Sequence, residues 1–212
     1  MTPGKFITLE GGEGAGKSTQ ILRLADGLRS IGIGSVVTRE PGGSPGAEEI
    51  RGLLVRGATE RWMPRTEALL HTAARVEHVE RTIRPALAEG QWVLCDRFVD
   101  STVAYQGYGH GLGRDWVIDL YTLVFGTFAP DLTLILDIGP DQGLERATAG
   151  KRGEDRYERM GAAFHGRLRE GFLDIARREP GRCAVIDAVG TIDEVQTAIR
   201  RVVSQRMGLI LP

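Results

Sequence analysis

Short apolar runs recur along the chain without the alternation of polar and apolar residues that marks a half-exposed strand. Continuous runs of this kind are typical of strands covered on both faces. Three runs are strong, FITLE at 6–10, WVLCD at 92–96 and LTLILDI at 132–138, and two are weaker, SVVT at 35–38 and CAVIDA at 183–188. The pattern therefore predicts a sheet of about five buried strands.

Helical periodicity fills the intervals between these strands. Residues 18–31 carry an apolar face that ends before Gly32, where a helix cap is expected. Alternating strands and helices predict an α/β fold of three layers, in which a parallel sheet has helices on both faces and ligands at the carboxyl ends of its strands. The Gly-rich piece at 105–113 is predicted to be a loop. Further helical patterns occupy about 46–56, 65–89, 114–125, 155–178 and 192–206.

Composition narrows the class of protein. The chain has 212 residues, 42% apolar and 26% charged, which is ordinary for one globular domain spanning 1–212. A formal net charge of −1 gives no global attraction to nucleic acid or to an anionic membrane, so anion binding must be local. Cys95 and Cys183 lack metal or disulfide spacing and are expected to be buried thiols. With no secretory or membrane-span pattern, we expect a cytoplasmic protein.

A phosphate-binding loop follows the first strand. Gly11, Gly16, Lys17 and Ser18 fit G-x-x-x-x-G-K-[ST] between a predicted strand and a predicted helix, the context that this motif requires. Lysine is rare here, with Lys5, Lys17 and Lys151 the three among 27 basic residues, which makes a chance match improbable. The alternative is a simple Gly-rich turn. The predicted nucleotide-binding residues are Gly11, Gly12, Glu13, Gly14, Ala15, Gly16, Lys17, Ser18 and Thr19.

The chemistry of this loop is that of a nucleoside triphosphate with magnesium. Backbone amides and the start of a helix attract phosphate, and Lys17 reaches the β- and γ-phosphates. Ser18 and Asp96, the latter at the end of a predicted strand, are the expected Mg²⁺ ligands. Asp96 could instead cap a helix or pair with Arg97. The lack of an NKxD guanine motif favours ATP.

Glu13 is unexpected in a loop built for anions. A carboxylate facing the triphosphate would repel it, so we expect Glu13 to face a second ligand that offers hydroxyl donors. The alternative is a solvent-facing loop charge.

The polar clusters EGGEGAGKST, TREPGG and DRFVDS each follow a predicted strand, so they are expected to meet at one edge of the sheet.

The same motifs resemble those of bacterial thymidylate kinases, a family of P-loop nucleoside monophosphate kinases. The matching pieces are EGxEGAGKST, TREPGG, TEALLHTAARVEHV, DRFVDSTVAYQG, PDLTLILD and DRYE, in this order and spacing, from about residue 6 to 160 with a fainter match to the end. The resemblance implies transfer of the γ-phosphoryl group of ATP to dTMP with Mg²⁺, and a homodimer.

The resemblance also assigns roles on the acceptor side. It implies that Glu13 binds the 3′-hydroxyl of dTMP, that Arg97 clamps the acceptor phosphate, and that Arg75 donates to the thymine O4. His71 stands where the family usually has a phenylalanine that stacks on thymine; it either stacks or is an ordinary core histidine. The remaining acceptor-side matches are Arg39, Glu40 and Arg51 around the phosphate, Thr102 near the base, Tyr105 near C2′, where it would disfavour a ribose hydroxyl, and Gln106 at the base edge.

The segment at about 146–158 resembles the family's mobile lid. Enzymes with no basic residue beside the loop acid, as with Gly14 and Ala15 here, carry the charge that stabilises the transferred phosphoryl group in the lid. Arg152 is the first candidate, so the predicted catalytic residues are Lys17, Glu13, Arg97 and Arg152. Arg146, Lys151 and Arg156 are further candidates, although each could be a solvated helix arginine and Arg156 could instead hold the lid to the body through a carboxylate.

Three alternative functions are compatible with the same sequence. The chain could phosphorylate another nucleoside or deoxynucleoside monophosphate. It could be an ATP-binding regulatory module that transfers nothing, although two acceptor-like clusters after two separate strands argue against this. It could also be a hydrolytic ATPase, for which Glu13 is the one evident water-activating residue.

Overall fold

A computed structural model describes residues 4–147 and 156–212. Their strands form one parallel sheet in the order β2-β3-β1-β4-β5. The predicted five strands are thus confirmed, with bounds close to those expected. They are β1 (Phe6–Glu10), β2 (Ser35–Arg39), β3 (Trp92–Asp96), β4 (Leu132–Asp137) and β5 (Cys183–Asp187).

Helices cover both faces of this sheet. Two segments of π-helix, Val79–Ile83 and Val103–Gly109, continue α3 and α5. Within the described residues, none of the helices is long and apolar enough to cross a membrane. The α-helices are α1 (Lys17–Ser30), α2 (Pro45–Leu54), α3 (Pro64–His78), α4 (Arg84–Ala88), α5 (Val99–Thr102), α6 (Arg114–Phe125), α7 (Pro140–Ala147), α8 (Ala162–Arg178) and α9 (Ile192–Met207).

Successive residues of a strand point to opposite faces of the sheet and belong to two separate hydrophobic cores. In β1, Phe6 packs on the side of α6 and α8, whereas Ile7 and Leu9 pack on the side of α1 and α9. A strand covered on both faces favours apolar residues on both of its sides, which explains the nearly continuous apolar runs in the sequence. Cys95 and Cys183 are free and buried in the first core, as predicted.

The predicted loop at 105–113 is confirmed only for residues 110–113, because residues 105–109 are helical. Val103–Gly109 is π-helical and packs against α8, and a Cβ on Gly109 would lie 2.6 Å from the ring of Phe164. The glycines here allow close packing between helices. Gly109 does not mark a turn, and this is why composition misled the prediction for residues 105–109, whereas Gly111 and Gly113, with φ of 78° and 87°, do lie in the irregular segment.

Two helix boundaries also differ from the predictions. Helix α7 was not predicted, because PDQGLERA has too few apolar residues to show a helical periodicity. Pro140 at its start and Asp141 in its first turn are typical of a helix N-terminus and could have indicated it. Helix α8 begins at Ala162, later than the predicted 155. The predicted segment at 65–89 is helical as expected, although a π-helical stretch interrupts it.

Candidate active site

Three strands end at the edge of the sheet where the polar clusters were expected. Asp96 is level with Leu9 on β1 and with Arg39 on β2. The segments that follow β1, β2 and β3 therefore begin side by side. This register brings the phosphate loop, Arg39 and the DRFVDS segment together, as the sequence predicted.

The phosphate loop runs from the end of β1 to the start of α1. Gly14 has a φ of 67°, and a Cβ at this position would overlap the carbonyl oxygen of Gly143 in α7. Only glycine satisfies both the left-handed backbone and this close approach. Helix α7 therefore packs against the phosphate loop and fixes the path of the loop's backbone amides.

Lys17 lies at the first position of α1 with its ammonium inside the loop. Its Nζ donates to the carbonyl oxygens of Gly12, at 2.7 Å, and Gly11, at 3.1 Å. Burial of the ammonium and the nearby charge of Arg97 lower its pKa to about 8, although Asp96 and Glu13 act in the opposite direction. The lysine is therefore held as a fixed positive charge where phosphate would enter.

Ser18 and Asp96 face each other across the start of α1. The Ser18 hydroxyl donates to Asp96 Oδ2 at 2.7 Å. A hydroxyl and a carboxylate are the hard oxygen donors that Mg²⁺ prefers, and a magnesium ion carried on nucleotide phosphates needs only one or two ligands from the protein. The pair thus fits the predicted metal site.

One cavity of about 490 Å³ joins the phosphate loop to the predicted acceptor side. Gly14, Gly16, Lys17, Ser18 and Thr19 line the donor end, whereas Gly11, Gly12 and Ala15 lie outside the lining. Every acceptor-side residue predicted from the sequence lines the same cavity, as does Asp96. The cavity is thus continuous between the two predicted groups of residues.

Glu13 belongs to the phosphate loop and contacts two of the acceptor-side residues. Its carboxylate accepts a hydrogen bond from the hydroxyl of Tyr105, and Oε1 lies 3.4 Å from Arg97 Nη2. With a side chain 10% exposed, Glu13 is not a solvent-facing loop charge. Burial acts to raise its pKa, but Arg97 and the Tyr105 hydrogen bond outweigh this and lower it. Glu13 is therefore an anchored carboxylate.

Arg97 is held in an unusual backbone conformation. Its φ is 75°, in the left-handed region that a residue with a Cβ enters at a cost of roughly 1 kcal/mol or more. Nη1 donates to the carbonyl oxygen of Gly11 at 2.8 Å and to Ser101 Oγ at 3.1 Å. The turn after β3 thus directs this guanidinium back toward the phosphate loop.

Helix α3 presents one polar face to the cavity region. Glu67, His71 and Arg75 recur every four residues and so lie on the same side of the helix. Arg75, 2% exposed, donates from Nε to Glu40 Oε2 and from Nη2 to Thr102 Oγ1, both at 2.8 Å. Its planar group is consequently fixed before any ligand binds.

His71 lies on the cavity wall, as the stacking interpretation requires. Its Nε2 is 2.9 Å from the hydroxyl of Tyr157. Burial of the ring disfavours its charged form and lowers its pKa to about 4, against an ordinary value of 6.5. The imidazole is therefore neutral at pH 7, as an aromatic surface for a base should be.

This pKa predicts how His71→Phe changes acid stability. Between pH 6.5 and 4 the unfolded chain binds a proton at His71 that the folded chain does not, so His71 makes the folded state less stable as the pH falls. Phenylalanine has no such proton. We expect the urea midpoint of the variant to fall less between pH 7 and pH 5 than that of the original chain; equal falls would contradict the assignment.

The predicted lid candidates have different outcomes. Arg152 and Lys151 lie outside the described residues. Arg146 lines the cavity and donates to the carbonyl oxygens of Ala188 and Val189, both at 3.0 Å. Arg156 is fully buried and ion-paired with Glu67, so it has the anchoring arrangement and is not placed to contact a transferred phosphoryl group. The abundance of arginine had made these roles hard to separate.

Some polar residues of the site were missed in the sequence. His165 on α8 places Nδ1 3.6 Å from Glu13 Oε2. Glu67 is fully buried and receives a hydrogen bond from Gln106. Glu67 could have been found, since it lies two helical turns before Arg75. His165 had no local signal, because only the packing of α8 brings it to the loop.

A phosphate loop at the carboxyl edge of a parallel sheet, facing a second polar pocket, defines a P-loop enzyme of the nucleotide kinase class. A sequence profile of the family described as Thymidylate kinase matches residues 9–199. The chain therefore belongs to the thymidylate kinase family.

Individual relatives agree over nearly the whole chain. The thymidylate kinase of Caulobacter vibrioides is 59% identical over 209 residues, 99% of this chain and 100% of the relative. That of Dinoroseobacter shibae is 55% identical over 185 residues, 87% of this chain and 89% of the relative. A crystal structure of thymidylate kinase from Ehrlichia chaffeensis, 35% identical, matches with a TM-score of 0.78 over 95% of this chain and 100% of that one. These matches confirm the predicted α/β fold and the predicted thymidylate kinase activity.

Proposed function

We propose that this chain transfers the γ-phosphoryl group of ATP to dTMP, giving ADP and dTDP, with Mg²⁺. A phosphate oxygen of dTMP forms the new bond to the γ-phosphorus while the bond to the β,γ-bridging oxygen breaks. The observation that carries the proposal is the position of Glu13. Its anchored carboxylate belongs to the phosphate loop, contacts the acceptor-side residues Arg97 and Tyr105, and lines the cavity that both groups of residues share.

The donor end suits the triphosphate of ATP. Loop amides and the start of α1 would hold the phosphates, with Lys17 at the β- and γ-oxygens. Ser18 and Asp96 would hold Mg²⁺, which neutralises charge on the phosphates when it is bound. These groups act by position and charge, because the reaction needs no covalent enzyme intermediate.

The acceptor end suits the sugar and phosphate of dTMP. Arg97 would clamp the phosphate, since a guanidinium can meet two of its oxygens, with Arg39 and Arg51 nearby. Glu13 would accept the 3′-hydroxyl. Tyr105, fixed by its hydrogen bond to Glu13, would leave no room for a ribose 2′-hydroxyl.

The base would lie against α3 and the π-helical segment at Val103–Gly109. Arg75 carries only donors and would meet the O4 oxygen of thymine, with Thr102 beside it. Gln106 would contact the edge of the base. His71, neutral and on the cavity wall, would stack on it.

A coupled assay of ADP formation tests the proposal. We expect ADP release that depends on dTMP, with dTMP preferred over dUMP, dCMP and UMP in kcat/KM. ATP binding without dTMP-dependent ADP release would favour a regulatory module, and ADP release without any nucleotide acceptor would favour an ATPase. A preference for another monophosphate would remove the roles given to Arg75 and Gln106.

Two further expectations from the sequence stay predictions. One is the homodimer, for which Leu69 on α3 and Leu123 and Val124 on α6 offer exposed apolar side chains. The other is the cytoplasmic location. The identity of the cation that contacts the transferred phosphoryl group also stays a prediction, with Arg152 as the first choice.

A further inference from the structure

We infer that Glu67 is a positioning residue that fixes the orientation of the Gln106 carboxamide. In this orientation the acceptor pocket selects a base whose edge donates a hydrogen bond over a base whose edge accepts one. The inference rests on the proposed function. It assigns base selectivity to a residue that does not line the cavity. Thymine and uracil have such a donor at N3, whereas cytosine has an acceptor there.

The geometry begins with two fully buried side chains. Gln106 Nε2 donates to Glu67 Oε1 at 2.8 Å, and both side chains are 0% exposed. Gln106 Oε1 is also buried, and no group among residues 4–147 and 156–212 forms a hydrogen bond with it. Because Gln106 lines the cavity, this oxygen is the group left to receive a donor from the ligand.

The ionisation of Glu67 makes this orientation obligatory. Burial acts to raise its pKa, but His110, His71 and Arg156 outweigh this and lower it to about 2. His110 Nε2 lies 3.2 Å from Oε1, and Arg156 forms an ion pair with Oε2. An ionised carboxylate only accepts hydrogen bonds, so Gln106 must turn its NH₂ group toward Glu67 and its oxygen away.

The polar atom that Gln106 directs toward the cavity then determines which base fits. The Gln106 oxygen can accept from the N3–H of thymine, whereas it would face the N3 lone pair of cytosine. Arg75 adds a matched choice, because its guanidinium suits the O4 oxygen of thymine and not the amino group of cytosine. Each base-facing group is thus oriented by a buried acid, Arg75 by Glu40 and Gln106 by Glu67.

The substitution Glu67→Gln should reverse the Gln106 amide. Its single carbonyl oxygen would pair with charged Arg156, the stronger donor, which leaves its NH₂ group facing Gln106. Gln106 would then present NH₂ to the base. We expect the ratio of kcat/KM for dTMP to that for dCMP to fall by about tenfold or more, since a mismatched buried hydrogen bond is costly.

Arg156→Gln is the matched control. It removes the same ion pair but leaves the contact between Glu67 and Gln106. Both substrates should then lose kcat/KM by similar factors, with the ratio unchanged. A purely structural role for Glu67 predicts this same uniform loss for Glu67→Gln, so an unchanged ratio in that variant would overturn the inference.

Two further measurements keep the test decisive. In a Gln106→Leu background, Glu67→Gln should cause no further change in the ratio; a further fall would show that Glu67 acts elsewhere. If Glu67→Gln does not fold, competition on the unaltered chain replaces it: N3-methylated dTMP should bind about tenfold more weakly than dTMP. Equal binding would overturn the inference. A lack of dTMP-dependent ADP release by the unaltered chain would instead overturn the proposed function.

Discussion

Lys17→Ala should lower turnover by roughly two to four orders of magnitude, the loss expected for one preorganised electrostatic contact at a transferring phosphoryl group. Lys17 is 7% exposed, and its ammonium is held by two loop carbonyls, so its charge is already in place when ATP arrives. Alanine leaves no cation there. The measurement is kcat at saturating ATP and dTMP, with the far-UV circular dichroism spectrum as the check of folding.

Lys5→Ala is the matched control for this variant. Lys5 is also a lysine next to β1, but it lies at the opposite end of the strand and pairs with Asp131 at the surface. Its loss should leave turnover nearly unchanged, because an exposed ion pair contributes little. If Lys17→Ala were as active as Lys5→Ala, the charge of Lys17 would have no part in the reaction.

Arg97→Ala should raise the KM for dTMP by about tenfold to a hundredfold and leave the KM for ATP little changed. Charge-assisted hydrogen bonds contribute about 1.5–3 kcal/mol each, and the proposed phosphate clamp would lose at least one. The effect should fall on the acceptor because Arg97 follows β3, lines the acceptor side of the cavity, and contacts the loop at Gly11 and Glu13 and not at Lys17. Initial rates with each substrate varied in turn measure the two constants.

Arg97→Lys separates the charge of this side chain from its shape. Arginine, lysine and alanine all carry a Cβ, so the three chains share the cost of the left-handed backbone and differ only in the side chain. Lysine should restore part of the dTMP affinity, since it keeps the charge but loses the planar fork. A dTMP dependence that is the same in all three chains would mean that Arg97 only ties Ser101 to the loop.

The sheet and the donor end of the site could be predicted because their signals are local. A buried parallel strand needs a continuous apolar run, and a phosphate loop needs Gly11, Gly16, Lys17 and Ser18 within eight residues of sequence. The order of strands and helices then brings the remaining clusters to one edge. For these parts the constraint acts within one segment of chain.

The unpredicted parts depend on contacts between distant segments. Glycines at 107 and 109 looked like loop residues, although Gly109 serves to admit Phe164. Arg156 was one of many arginines until the fold paired it with Glu67, 89 positions earlier in the chain. Helix α7 has little apolar surface, because its backbone packs on Gly14 of the loop. No short window of sequence contains such information.

The ion pair of Glu40 with Arg75 has a consequence for protein engineering. Replacing Arg75 alone, in order to bind a different nucleobase, would leave the carboxylate of Glu40, which is 5% exposed, without its ion-pair partner. Breaking a buried ion pair in this way costs about 3–5 kcal/mol of stability. Glu40 also contacts His78, so the disturbance would spread along α3. Redesign should therefore exchange the arginine and its acid together.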